Sequence, residues 1–165
     1  MDNKYKIELP ILKEATTGNI GFELLSVTRE SPNGYKSALE TLALYFQREL
    51  GFDCLAFSPA YYKNESIEYF GFLFTEEDFS VCEAQDEQVP LRTIGGGCFE
   101  KQTYVDSDEF NWVLKWVWLH PYKRNQGLFT KNIELFYDQF NGFQVEEPLS
   151  KAMEHIVFRG SKGDL

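Results

Sequence analysis

The stretch WVWLHPYKRNQGLFTKNIELFYDQF, residues 116–140, joins a dense apolar segment to an amphipathic one through a basic hinge. The hinge contains Lys123 and Arg124, and Gly127 follows just before the amphipathic segment. The start of a helix exposes unpaired backbone N–H groups and the positive end of the helix dipole. A glycine lets an anion approach that backbone closely, so residues 124–130 are predicted to form a phosphate or pyrophosphate site.

The segment before the hinge, NWVLKWVWL at 111–119, is apolar on both faces and is interrupted only by Lys115. Such a pattern predicts a central strand that other elements cover on both sides. Strict alternation along the strand would divide its apolar side chains into two sets. One set is Val113, Val117 and Leu119, and the other is Trp112, Leu114, Trp116 and Trp118.

The segment after the hinge predicts a helix with one aromatic-rich stripe. The stripe consists of Phe129, Ile133, Phe136 and Phe140, which recur at steps of four, three and four. The Asn-Gly pair at 141–142 is expected to end this helix. FQVEE at 143–147 then predicts a short strand, and Pro148 suits the first turn of a last helix.

Upstream, apolar runs at 5–12, 20–28 and 67–75 and the glycine-rich run LRTIGGGCFEK at 91–101 predict strands. SPNG at 31–34 predicts a turn, and a helical pattern begins at Tyr35 and stops at Gly51. The predicted elements are mixed strands in the first part of the chain and strand–helix–strand–helix in the last part. This order indicates an α/β or α+β fold with helices packed on a sheet. The length suits one domain, residues 1–165.

Composition narrows the function further. The net charge of −10, from 26 carboxylates against 16 Lys and Arg, disfavours nucleic-acid binding and favours a cationic partner. No apolar run approaches the roughly 18 residues of a membrane span, and the N-terminus lacks a signal-peptide pattern, so a cytoplasmic location is expected. Three widely spaced cysteines and two histidines predict reduced thiols and no metal site.

The hinge matches neither of the common phosphate-binding signatures. It is too short for the Walker A loop and lacks the GxGxxG of dinucleotide folds. From the residues alone, an anion site stands beside a simpler interpretation, in which Gly127 only shapes a charged turn between strand and helix.

WLHPYKRNQGLF, residues 118–129, resembles the signature of the GNAT superfamily of acetyl-CoA-dependent N-acyltransferases. In that family a central strand ends in hydrophobic-x-Pro, and Arg/Gln-x-x-Gly-x-Gly/Ala follows at the head of a helix. Leu119, Pro121, Arg124 and Gly127 match this pattern. Phe129 departs from it, because the family usually has Gly or Ala there, and its side chain is expected to point into the core.

The resemblance covers residues 67–159, and residues 1–66 would supply the opening strands and helix. It implies a GNAT-like fold, namely a mixed, mostly antiparallel central sheet flanked by helices, with a splayed central strand. It also implies acetyl-CoA as co-substrate. The residues expected to hold it are the strand end Val117, Trp118 and Leu119, the hinge residues Arg124, Asn125, Gln126, Gly127, Leu128, Phe129 and Thr130, and Ser150 on the last helix.

The resemblance gives less guidance on catalysis. The family often places a basic carboxylate on or near the central strand, where this chain has Glu109 just before the strand and Glu100 on the preceding one. The family's acid is often a Tyr on the final helix, but Val157 takes that place here, which leaves His155 as a substitute. All three residues also fit a purely structural role on the surface or in the core.

The resulting hypothesis is an N-acetyltransferase that moves an acetyl group from acetyl-CoA to a primary amine by direct attack in a ternary complex. The acceptor would be a small amine or a lysine of a protein or peptide. The alternatives are an inactive acyl-CoA-binding or protein-interaction domain with the same fold, and an interaction module without cofactor. Six residues follow Arg159, whereas the family normally continues with a strand or hairpin on the acceptor side. Three alternatives remain: the N-terminal strands fill that place, a partner chain fills it, as in a homodimer, or the acceptor pocket is open.

Overall fold

The computed structural model of the protein describes residues 6–13, 24–51, 57–58, 61, 63–85 and 88–146. Its strands are β1 (Ile11–Leu12), β2 (Leu24–Val27), β3 (Tyr69–Glu77), β4 (Leu91–Thr103), β5 (Phe110–Leu119) and β6 (Gln144–Val145). Its α-helices are α1 (Asn33–Leu50) and α2 (Ile133–Phe140). The predicted last helix lies outside the described residues.

The six strands form one sheet in the order β2-β3-β4-β5-β6, with β1 paired to the start of β4. Every pairing is antiparallel except that of β5 with β6, which is parallel. The expected mixed, mostly antiparallel sheet with helices is therefore confirmed. No described helix combines the length and apolarity that a membrane span needs.

Helix α1 follows the predicted pattern closely. It ends at Gly51, which adopts φ 71° and donates its N–H to the carbonyl of Gln47. A left-handed residue of this kind closes many helices, and glycine adopts it without a Cβ clash. The turn predicted at 31–34 is wrong for its second half, because Asn33 and Gly34 already belong to the first turn of α1.

Strand β5 contains a bulge that divides its side chains differently from strict alternation. Trp116 lies opposite Cys98, but Leu114 lies opposite Phe99, so Lys115 is an extra residue in the ladder. Trp116 and Trp118 consequently pack on the α1 side of the sheet, while Trp112 and Leu114 pack on the α2 side with Val117 and Leu119. The prediction of two strictly alternating faces is wrong at this point.

Helix α2 begins at Ile133, later than the predicted start near Gly127, and a 3₁₀ turn at Thr130–Asn132 precedes it. The side chain of Asn132 donates to the carbonyl of Leu128 at 2.8 Å. That carbonyl would otherwise accept the α-helical bond from the Asn132 amide, which instead reaches Phe129 at 3.0 Å. This competition from a local side chain delays the α-helix.

The aromatic stripe predicted on this helix forms the core on its side of the sheet. Phe136 is fully buried, with ring centroids 4.7 Å from Phe72 and 5.1 Å from Phe99. Phe140 extends the cluster to Trp112 at 4.7 Å. These contacts fix α2, and with it the hinge, against β3, β4 and β5.

The glycine run in β4 allows close packing between neighbouring strands. A Cβ at Gly96 would lie 2.5 Å from the backbone oxygen of Phe72, and one at Gly97 would lie 2.5 Å from that of Trp116. Both strands next to β4 therefore approach it more closely than any larger residue permits.

Replacing Gly96 with Ala should destabilise the protein by roughly 1–3 kcal/mol, because the clash is with the backbone of a central strand. Gly34→Ala is the matched control, since nothing lies within 4 Å of a Cβ there and the residue is helical. The control should be neutral or stabilising by up to about 1 kcal/mol. Urea unfolding of both variants measures the difference, and equal stabilities would contradict the close-packing explanation.

Candidate cofactor and acceptor site

The hinge between β5 and α2 forms an exposed loop with an irregular backbone. Asn125 and Gly127 adopt φ 62° and φ 72°, and the residues from Asn125 to Gly127 are exposed. Within the described part of the chain, no amide from Arg124 to Thr130 donates a hydrogen bond to another protein group. Consecutive amides in such a conformation form an anion-binding concavity of the kind found in phosphate-binding loops.

Gly127 leaves open space at the centre of this loop, because no heavy atom lies within 4 Å of the position of a Cβ. Phe129, which departs from the family pattern, does not fill that space. Its side chain is only 3% exposed and stacks on Phe72 and Phe136 in the core. The expectation that this ring points into the core is confirmed.

The two cations of the hinge have carboxylate partners within the protein. Lys123 Nζ lies 2.7 Å from Glu76 Oε2 on β3. Arg124 binds Glu49 of α1 through both terminal nitrogens, at 2.5 and 2.7 Å. The hydrogen bonds from Arg124 hold the pKa of Glu49 below its ordinary value, so the pair is ionised at neutral pH. Sequence reasoning missed these partners because they lie 47 and 75 residues away.

On the side of β6, the end of β5 has no neighbouring strand among the described residues. Strand β6 pairs only with Val113 and Leu114, and Glu146 adds one bond to the Leu114 carbonyl. Beyond Leu114, no described strand accompanies β5 on this side. The described pairing of the two parallel strands ends at Leu114 and Val145, directly before the bulge at Lys115.

The register identifies which backbone groups face this side of the strand. His120 donates its N–H to Ile94 at 2.9 Å, and hydrogen-bonded and non-bonded pairs alternate along an antiparallel ladder. Trp118 and Trp116 therefore bond to β4, whereas Leu119 and Val117 direct their polar backbone groups away from it. The Leu119 carbonyl accepts from Arg124 Nε at 2.9 Å, so Val117 is the residue whose N–H and C=O have no described partner strand.

Glu100, the first of the predicted catalytic carboxylates, is half-buried on β4 opposite Val113. The hydroxyl of Tyr61 donates to Glu100 Oε2 at 3.1 Å. Burial and then the Glu100 charge raise the pKa of this tyrosine, so its proton stays on the hydroxyl at neutral pH. Lys115, at the bulge, pairs with Glu146 beside the point where β5 and β6 separate.

The other two predicted catalytic residues are placed differently. Glu109 is exposed in the turn before β5, where its backbone N–H donates to Ser107 Oγ at 2.9 Å. His155 and the predicted cofactor residue Ser150 both lie outside the described residues. Of the predicted carboxylates, the structure thus places Glu100 in a partly enclosed position and Glu109 on the surface. Tyr61, which sequence reasoning missed, joins Glu100 from a segment 39 residues away.

No family model and no curated protein matches the sequence. Among solved structures, a probable acetyltransferase superposes with a TM-score of 0.50 at 10% identity, over 84% of this chain and 87% of the other. The chain has a GNAT-like fold. At such low identity the superposition establishes the fold and not the reaction.

Two further solved structures are aminoglycoside acetyltransferases from uncultured soil metagenomic samples. One superposes with a TM-score of 0.48 at 14% identity, over 87% of this chain and 91% of the other. The second was solved in complex with sisomicin and superposes with a TM-score of 0.49 at 10% identity, over 87% of each chain.

Cys98 should not react with thiol reagents in the folded protein. It is fully buried, and burial raises the pKa of its thiol well above the ordinary value, so little thiolate forms. Exposed Cys82 is the internal control. In a Cys54→Ser background at pH 8, a chromogenic disulfide reagent should modify Cys82 at once and Cys98 only after unfolding. Rapid modification of Cys98 in the folded protein would contradict its burial.

Proposed function

We propose that the protein is an N-acetyltransferase that moves an acetyl group from acetyl-CoA to a primary amine. The observation that carries this proposal is the exposed hinge loop, whose amides have no partner among the described residues, next to the end of β5, which no described strand covers on one side. Coenzyme A has a diphosphate, which the loop amides could bind, and an amide-containing arm, which could pair with the edge of β5. The GNAT-like fold supports the same conclusion.

The residues present fit coenzyme A. The amides from Asn125 to Thr130 would hold its pyrophosphate, and the N–H and C=O of Val117, which no described strand pairs, would bond to its pantetheine arm. The open space at Gly127 leaves the loop accessible to a phosphate. Bound acetyl-CoA would supply an acetyl group activated as a thioester. Ser150 stays a proposed contact from the last helix.

Glu100 is the best placed of the candidate bases. An amine attacks a carbonyl only after its ammonium form loses a proton, and a carboxylate within reach can accept that proton. Glu100 lies on the strand next to β5, and the Tyr61 hydroxyl fixes its orientation. The amine nitrogen then forms the new bond to the acetyl carbon while the carbon–sulfur bond breaks and the sulfur is released as a thiol.

The charge of the protein favours an amine acceptor. At a net charge of −10 the surface attracts a cationic substrate and repels an anionic one. Both a small amine and a lysine of a protein or peptide meet this requirement. The acceptor class is therefore proposed as a primary amine without further distinction.

A second candidate function is coenzyme A binding without transfer. It is favoured by the composition of β5, which carries no carboxylate of its own, and by the exposure of Glu109. Binding and turnover separate the two candidates, since the loop alone suffices for the first and a base is needed for the second.

Acetyl-CoA should raise the melting temperature of the protein in proportion to the logarithm of its concentration above Kd. With a panel of primary amines present, release of the free thiol of coenzyme A should follow when the acceptor is among them. Stabilisation without thiol release would favour the binding-only function. No stabilisation at millimolar acetyl-CoA would contradict both candidates.

Gly127→Asp should weaken binding of coenzyme A by roughly tenfold or more relative to Gly127→Asn, which corresponds to about 1.4 kcal/mol. Both replacements are similar in size and tolerate the left-handed conformation, so they differ mainly by one negative charge. Isothermal titration with coenzyme A measures the difference. Equal affinities in the two variants would place the pyrophosphate elsewhere.

Glu100→Gln should lower kcat by roughly 100-fold or more at neutral pH, because general-base catalysis contributes on that scale. The affinity for coenzyme A should stay the same, since Glu100 is not part of the loop. Glu109→Gln is the matched control and should retain activity, because that residue is exposed in a turn. Steady-state kinetics of both variants decide, and a fully active Glu100→Gln enzyme would exclude this base.

A further inference from the structure

We propose that Glu49, at the end of α1, is a positioning residue that sets the shape of the coenzyme A loop through Arg124. The proposal rests on the proposed function and adds a residue far from the loop in sequence. It also assigns Arg124 a structural contact with Glu49 in place of a direct contact with phosphate.

The guanidinium of Arg124 is engaged on three of its nitrogen atoms. Two bind the Glu49 carboxylate at 2.5 and 2.7 Å, and Nε donates to the Leu119 carbonyl at 2.9 Å. Glu49 Oε2 also accepts from the indole nitrogen of Trp118 at 2.7 Å. A planar, two-point contact of this kind fixes direction as well as distance. We call Glu49, Arg124, Trp118 and Leu119 the α1–β5 clamp.

The clamp connects three parts of the molecule whose relative positions determine the shape of the site: the end of α1, the end of β5 and the start of the loop. Glu49 lies in the last turn of α1, and Trp118 and Leu119 form the end of β5. Arg124 is the residue directly before the left-handed Asn125. Holding Arg124 against two other elements therefore fixes the point at which the loop begins, so the amides of the loop are presented in one arrangement.

The clamp also determines which backbone groups stay available at this edge of β5. It occupies the carbonyl of Leu119, and it leaves the polar groups of Val117 without a partner strand. A ligand chain lying along this edge would accordingly bond to Val117 and stop short of Leu119. Without the clamp, both positions would be open to water.

The clamp and direct phosphate binding by Arg124 predict opposite effects for one substitution. In Glu49→Gln, a phosphate-binding Arg124 would be released from its partner and a nearby negative charge would be removed, so affinity for coenzyme A would rise. If Glu49 acts through the clamp, the same change loosens the loop and affinity falls. Gln keeps the size of Glu and one acceptor oxygen, so the fold is retained.

The matched control is Glu76→Gln. It removes a carboxylate that pairs with Lys123 at 2.7 Å, one residue from Arg124, and so changes the net charge beside the loop by the same amount. Lys123 makes a single contact there instead of a two-point one. A general electrostatic effect would appear equally in both variants, whereas an effect of the clamp appears only in Glu49→Gln.

Titration calorimetry with coenzyme A should give a Kd for Glu49→Gln that is roughly fivefold higher or more than that of the wild type. The Kd of the Glu76→Gln variant should equal that of the wild type or be lower. In turnover assays, KM for acetyl-CoA should rise while kcat stays within about twofold, since only binding depends on the loop. An unchanged or lower Kd in Glu49→Gln would overturn the proposal.

A second readout needs no ligand and separates the clamp from the proposed function. The amides of Lys123 and Lys131 donate to His120 and Gly127 at 2.8 and 2.9 Å, so their hydrogen exchange reports the order of the loop at both ends. Exchange should be faster in Glu49→Gln than in Glu76→Gln. Unchanged exchange would overturn the clamp even if coenzyme A binds, and failure of the wild type to bind would overturn the function alone.

Discussion

The candidate site depends on the end of β5, which pairs with β4 on one side and with no described strand on the other. The β4 ladder continues to Leu119, but β6 pairs with only Val113 and Leu114. Unpaired polar backbone groups are costly unless water or another partner satisfies them. A central strand whose end has no partner among the described strands is therefore suited to a ligand that brings its own amides, and this end begins at the bulge at Lys115.

The conformation of the hinge also depends on β5, because the loop is held at one end by contacts with this strand. The aromatic core fixes α2 beneath the sheet, and the α1–β5 clamp holds Arg124, the residue at which the loop begins. Between these two anchors the loop has little side-chain packing of its own, since its central residues are exposed. Its conformation is therefore imposed by its ends, which explains why an open loop can still present its amides in an ordered way.

Much of the architecture could be read from local patterns, because the periods of helix and strand and the terminating Gly51 act over a few residues. The late start of α2 and the bulge in β5 could not be predicted from these patterns. The first depends on one side-chain hydrogen bond and the second on one register shift. The hinge was recognised from its motif, but the partners of its cations were not. Glu49 and Glu76 become neighbours of the hinge only through the fold.

Those partners resolve an apparent conflict between an acidic protein and the anionic cofactor proposed for it. At physiological salt, exposed charges more than roughly 8 Å away are largely screened, so the field at the loop is set by its immediate neighbours. Glu49 and Glu76 are close, but each is matched by a cation from the hinge. The hinge cations thus neutralise local carboxylates, and the backbone amides are left as the attraction that a phosphate would meet.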